Sequence, residues 1–221
     1  MACVITSIRD EASHEDVELA RVLQRTVLMA TALRTKAVTA WLKSELNGYP
    51  PDARLPVYRR GQNATLIAWM PGQGWAAAPI SPTLAKELGD YELRTGVEAL
   101  ERDEAKRNPR EPPRIEFDDE HLRAMQQRIG LDARLSLALP PNAVAEVLDT
   151  VRQTIVAWSD ALLEAGVQGD GSVFSDSERH TASEVAEHLD ELISEAHETA
   201  QRLVAERQNR HGGFLSRLFG R

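Results

Sequence analysis

Cysteine is nearly absent: Cys3 is the single one among 221 residues. One thiol can form neither an intramolecular disulfide nor a thiolate metal cluster, which fits a reducing compartment. Aromatic residues are also scarce, at 5%, so Ala, Leu and Val must fill the core that a 42% hydrophobic content allows. No run approaches 18 consecutive apolar residues, so no helix is expected to span a bilayer. The opening MACVITSIRDEASHED lacks the cationic region and long apolar run of a secretory signal. Excess positive charge is lacking too. A net charge of −8 and a pI of ≈ 5.3 argue against a nucleic-acid surface spread over the whole protein, because phosphates require a basic face; a local basic patch remains allowed. These absences together point to the cytoplasm.

What is present reads mainly as helix. Ser13 followed by Asp16 resembles a capping box. Leu19, Val22, Leu23, Val27 and Ala30 then recur at helical spacing, and Val38, Trp41, Leu42 and Leu46 continue it after a break near Thr35. The stretch WLKSELNGYP ends that helix. Asn47-Gly48 supplies a residue able to adopt a left-handed conformation, Pro50 and Pro51 forbid continuation, and Tyr49 is extended because it precedes proline. Leu55 to Ile80 holds β-favouring runs separated by Gly and Asn, a small hairpin or three-stranded sheet. Thr83 to about Arg107 returns to helical composition with possible breaks at Gly89 and Gly96, and Asn108 to Phe117 is a proline-rich connector. Asp118 or Asp119 caps a short helix ending near Gly130, and Leu131 to Pro140 alternates as a strand does. Val144, Leu148, Val151, Ile155, Trp158 and Leu162 mark a long helix that stops at Gly166. A second long helix is expected from about Ser177 to Arg207. Its stripe of Val185, Leu189, Leu192, Ala196 and Leu203 suits a coiled-coil seam or docking against one neighbouring helix.

Four of these stretches, in this order, carry a resemblance: WLKSELNGYP, LPVYRR, GWAAAPI and EVLDTVRQTIVAW. Together they resemble the AbiTii domain family of bacterial abortive-infection and phage-defence proteins, over roughly residues 15 to 166. The most specific piece is ELNGYP, Glu45 to Pro50, supported by LDTVR, Leu148 to Arg152. The resemblance implies a role in defence against phage and implies no reaction. It also implies a domain that precedes a membrane segment, from which this chain departs by ending in a short basic, aromatic tail.

Candidate chemistry is thin. Two Arg-x4–6-His matches, Arg9 with His14 and Arg114 with His121, would suit an RNase, but about two such matches are expected by chance and both lie among acids. Glu184, His188 and Glu191 share a helix face with Glu195 and His197 nearby. The matching Glu-x-x-His pairs on other helices are absent, so they read as a solvated acidic face and no metal is expected. There is no G-x-S-x-G elbow; PGQGW lacks the lysine of a phosphate loop, and GDGS lacks the spaced ligands of a calcium loop. Trp41, Glu45, Asn47, Gly48 and Tyr49 form either a recognition surface or a structural helix end. In the tail, Phe214, Leu215, Leu218 and Phe219 would share one face, with Arg217 and Arg221 beside it. Such a segment suits a membrane interface, a partner or the protein's own surface.

The expected fold is α+β, mainly α: a helical domain with a small antiparallel sheet inserted and two long C-terminal helices. The expected organisation is a mobile terminus over 1–12, the AbiTii-like domain over 13–166, a linker over 167–173, a coiled-coil-like helix over 174–207 and the amphipathic tail over 208–221. The expected function is a non-enzymatic, cofactor-free antiphage defence protein that binds a phage or host component. It would couple that event to a partner from a neighbouring defence gene, to self-association, or to peripheral contact with the inner membrane through the tail. Nucleic acid is not an expected partner. The alternatives are an RNase-type toxin using Arg9 and His14, and an inert structural subunit of a two-gene system.

Overall fold

Helical periodicity is realised over most of the chain in the computed structural model, which describes residues 3–108 and 111–219, with side chains through residue 209. The protein is 59% helical with a small antiparallel sheet. It divides into two compact units, one built from Met1–Ala53, Arg94–Asp103 and Ala145–Arg221, the other from Arg54–Leu93 and Glu104–Val144.

The first unit is helical. Val4–Ser13, read from the sequence within a mobile terminus, forms helix α1, because Ile5, Ile8 and Ala12 are spaced to bury one face. Helices α2 (Leu19–Ala32) and α3 (Lys36–Asn47) pack on each other and bury Val22, Leu23, Met29, Val38 and Leu42. The break between them is one residue before the expected Thr35: Arg34 takes φ 61°, a left-handed conformation that ends α2. The capping box expected at Ser13 and Asp16 does not form. Ser13 Oγ donates to Arg9 O in its own helix, and α2 is capped from a distance, as described below.

The long helix that opens beyond Asn142 is α7 in chain order, Ala143–Glu164, and its periodic residues Val144, Val151, Ile155, Trp158 and Leu162 are buried. Gly166, at φ 83°, ends it. The GDGS stretch folds as a tight turn with Gly169 and Gly171 at positive φ, leading into α8 (Asp176–Glu187). Glu178 organises the turn: its carboxylate accepts from Ser175 N at 2.8 Å, Gly169 N at 2.7 Å, Ser175 Oγ at 2.8 Å and Gln168 N at 3.1 Å. Those donors, the Ser175 and Gly169 amides foremost, hold its pKa at about 2. A depressed carboxylate stabilises the fold above its ordinary value and loses that contribution as pH falls toward 2. Glu178→Gln is therefore expected to lower the melting temperature at pH 7, with the gap to the wild type closing as pH falls from 4.5 to 2. A gap that stays constant in circular-dichroism melts over that range would contradict this.

The helix expected from Ser177 to Arg207 is broken at His188, which leaves α8 and α9 (Leu189–Phe219) as separate elements.

The second unit carries the sheet. Strands β2 (Thr65–Met70), β3 (Gly74–Ala77), β5 (Arg114–Glu116) and β6 (Leu135–Ala138) run in the order β3-β2-β6-β5, all antiparallel. Trp69 pairs with Trp75, Ala68 with Leu135, and Glu116 with Ser136. Residues alternate across the sheet, so one face gathers Leu66, Ala68, Ala78 and Leu135 into a core. Leu122, Met125 and Ile129 of helix α6 (Asp119–Ile129) pack against that core. A two-stranded ribbon pairs β1 (Arg60–Gly61) with β4 (Tyr91–Glu92). The region read as one broken helix resolves at its two glycines into α4 (Pro82–Glu87), β4 and α5 (Val97–Lys106). The proline-rich connector contributes β5.

Candidate functional site

The ELNGYP stretch is a backbone clasp. Helix α3 ends at Asn47, whose Nδ2 donates to Lys43 O at 2.9 Å. Gly48 takes φ 95° and ψ 170°, a region open to glycine rather than the left-handed helical cap expected. This brings the chain against residues 94–96. Tyr49 N donates to Arg94 O at 2.8 Å, and the Arg94 guanidinium donates to Pro50 O at 2.5 Å and Ala53 O at 3.1 Å. The approach is so close that a Cβ on Gly96 would lie 2.4 Å from Leu46 O. Glu45 is fully buried and accepts from the Tyr49 hydroxyl at 2.5 Å, while Trp41, one turn earlier on the same helix, is also buried. Gly48 and Tyr49 thus hold the end of α3 against the residues that lead into α5.

The LDTVR stretch organises a second cluster. Arg152 is buried on α7 and donates to three carbonyls, two in the α1–α2 connection, His14 O and Val17 O, each at 2.8 Å, and one in the last turn of α1, Ala12 O at 3.2 Å. Glu101 of α5 accepts from Leu19 N and Ala20 N at 2.7 and 2.9 Å, which supplies the N-terminal cap of α2. One turn before Arg152, Asp149 accepts from Arg207 of α9 at 2.7 Å, and Arg207 also donates to Glu15 at 2.5 Å. Burial pushes the Asp149 carboxyl above its ordinary value, against the opposing pull of the Arg207 hydrogen bond. This lattice ties α1, α2, α5, α7 and α9 together through side chains that reach backbone groups and one another.

The Arg-x4–6-His candidates have structural partners. Arg9 Nε donates to Asp160 at 2.9 Å, and His14 Nδ1 lies 2.7 Å from Asp10 O in its own helix. His121 Nδ1 lies 2.7 Å from Asp118, the N-cap of α6, and Arg114 donates to Glu116 and Glu111. His188 Nδ1 lies 3.1 Å from Glu191. Among the described residues no group of three His, Cys, Asp or Glu side chains is placed to hold a metal ion.

The expected stripe is split. Val185 lies on α8, and on α9 Leu189 and Ala196 are buried while Leu192 and Leu203 are half-buried. Ala200 and Val204 complete the buried line. A strict seven-residue repeat drifts by about 20° per heptad on a straight helix, so Leu192 and Leu203 fall to its flank. Backbone helix continues to Phe219, but the side chains of Phe214, Leu215, Arg217, Leu218 and Phe219 lie outside the described residues. Among the described residues no helix is long and apolar enough to cross a membrane.

One cluster was not anticipated. Trp69 and Trp75 face each other across β2 and β3 with ring centroids 5.6 Å apart and planes at 74°. The guanidinium carbons of Arg114 and Arg134 lie 5.0 and 5.4 Å from the Trp75 ring centroid. Arginines 39 and 59 residues downstream of Trp75 give no local signal. The readable hint was two tryptophans flanking the PGQG turn, which a hairpin places opposite each other.

No curated protein and no solved structure matches the chain. Residues 4–187 match the AbiTii family model, a span that takes in α1 and α8 as well as the stretches carrying the resemblance. With most of its length matched, the chain belongs to the AbiTii family.

Proposed function

We propose that this protein defends its host by binding rather than catalysis: the AbiTii domain engages a phage or host component, and α9 passes that event to a partner, to a second copy or to the inner membrane. Membership of the family places the chain in abortive-infection phage defence; the sensing and coupling steps are the proposal. The observation that carries it is α9. This helix lies beyond the matched residues, yet it is buried along Leu189, Ala196, Ala200 and Val204 and secured through Arg207 on Asp149. A helix docked along one buried face, with Arg207 reaching Asp149 and Glu15, is an element able to open locally without unfolding the whole domain, as coupling elements require.

The test is phage plating efficiency on cells carrying the native gene neighbourhood, comparing the intact chain with one truncated after Gln208. Loss of protection on truncation, with the melting temperature retained, supports the segment beyond Gln208 as the coupling element. Equal protection from both forms would show that the segment beyond Gln208 is dispensable, and protection unchanged in a Leu189→Asp, Leu192→Asp double variant would remove the coupling role of the rest of α9. Arg9→Ala and His14→Ala are expected to leave protection intact. If either abolished it without unfolding the protein, the RNase reading would replace this one.

A further inference from the structure

We propose that the Trp69–Trp75 corner of the four-stranded sheet is a stacking site for single-stranded nucleic acid, which identifies the phage or host component of the sensing reading and rests on that reading for its biological meaning. The chain has four tryptophans. Trp41 and Trp158 are buried among the helices, while Trp69 is 47% exposed. An indole left this open on a sheet face, with a second indole set edge-on beside it, presents flat apolar area to solvent. That geometry suits a planar ligand stacking on one ring with its edge bounded by the other.

The charges beside the rings are held in place. Glu116 accepts from Arg114 Nε at 2.8 Å and from Arg134 Nη2 at 3.2 Å, while Glu111 takes a further bond from Arg114 at 3.3 Å. Each guanidinium carries five N–H donors, so both retain donors for an incoming phosphate or base edge. The acidity of the whole chain does not describe this neighbourhood. The unit formed by Arg54–Leu93 and Glu104–Val144 carries eleven Lys and Arg against ten Asp and Glu, a net charge of +1, so the other unit accounts for −9 of the total of −8. The neighbourhood of the rings is near neutral rather than acidic, with Arg114 and Arg134 beside Trp75. Because Glu116 and Glu111 neutralise much of the arginine charge, stacking rather than phosphate contact is the main source of affinity. Bases must be unpaired to stack on a side chain, which selects single strands over duplexes.

The experiment uses the full chain and fluorescein-labelled 20-mers, dT20 and rU20, with fluorescence anisotropy at low and physiological salt and a 20-base-pair DNA duplex as comparison. Binding of a single strand with little binding of the duplex is expected. Trp69→Ala is expected to weaken it about 5- to 100-fold, the range for one lost stacking contact. Arg134→Ala is expected to weaken it less and to flatten its salt dependence. Both side chains are exposed enough to truncate without unfolding, and a melting curve checks this. The two strands distinguish DNA from RNA as the ligand. No binding by the intact chain, or binding unchanged in Trp69→Ala, overturns the site. In that event a peptide strand adding to the edge of β3 becomes the better occupant. If Trp69→Ala loses oligonucleotide binding while phage protection persists, the site stands and the sensing reading falls.

Discussion

Arg152→Ala is expected to destabilise the protein by about 3–5 kcal/mol, the largest effect of any single side-chain truncation considered above. Its guanidinium is buried and satisfies Ala12 O, His14 O and Val17 O, the carbonyls of a chain turning from α1 into α2. Removing it leaves those carbonyls short of a donor and takes a cation from among Glu101, Asp149, Glu15 and Asp16, whose charges it offsets. For a protein of this size the loss corresponds to a melting-point drop on the order of 10 °C. Arg152→Lys is expected to recover only part of it, because one ammonium cannot reproduce a planar fork directed at three acceptors. Urea unfolding followed by circular dichroism measures both. A change below about 0.5 kcal/mol for the alanine variant, the level of an ordinary surface substitution, would show that the α1–α2 turn does not depend on this brace.

Gly96→Ala is the second large effect, at about 3 kcal/mol or more. The added methyl would meet Leu46 O at 2.4 Å, Asn47 C at 2.7 Å and Gly48 N at 2.7 Å, all main-chain atoms of the α3 terminus. Backbone cannot step aside as a side-chain tip can, so either the clasp opens or α5 moves. Gly72→Ala provides the control. Gly72 has positive φ, at 80°, which Gly96 does not, and a methyl there meets nothing within 4 Å, so only a conformational penalty of about 1 kcal/mol applies to it. Equal losses for the two variants would mean that the clasp yields easily. A much larger loss for Gly96→Ala, measured in the same urea titration, supports it.

Features governed by neighbours in sequence were legible before the fold was seen. The periodic runs of α2, α3 and α7 announced those helices, Asn47-Gly48 and the following prolines announced the end of α3, and alternation announced β6. The mainly α architecture with an inserted antiparallel sheet followed from them. Features governed by distant partners were not legible. Helix α1 has only Ile5, Ile8 and Ala12 on its buried face, too few for a periodic signal. The cap of α2 comes from Glu101, 82 residues away, and so no local motif encodes it. The split at His188 interrupts a helix whose composition is uniform on either side.

The same separation explains the candidate sites. ELNGYP was recognised as a unit, but its closest partner, Gly96, sits in a stretch that read as a broken helix. The tryptophan corner depends on strand register, which sets Trp69 opposite Trp75, and on distant residues, Arg114 and Arg134, whose guanidinium groups reach the Trp75 ring. Asp149 and Arg152 lay inside a recognised stretch, yet their roles belong to residues 58 and 140 positions away.

The helical unit is gathered from three separate lengths of chain, and this has a consequence for synthesis. The turn between α1 and α2 leaves the ribosome 135 or more residues ahead of the arginine that secures it. At translation rates of about 5–20 residues per second, that turn waits roughly 7 to 30 s for its partner. The N-terminal helices therefore spend the whole of elongation through the sheet unit without the brace that Arg152 provides. The domain acquires its finished form only after α7 and α9 have been synthesised. An infection that stalls ribosomes early would leave fragments without this form, whereas copies completed beforehand would already be in place.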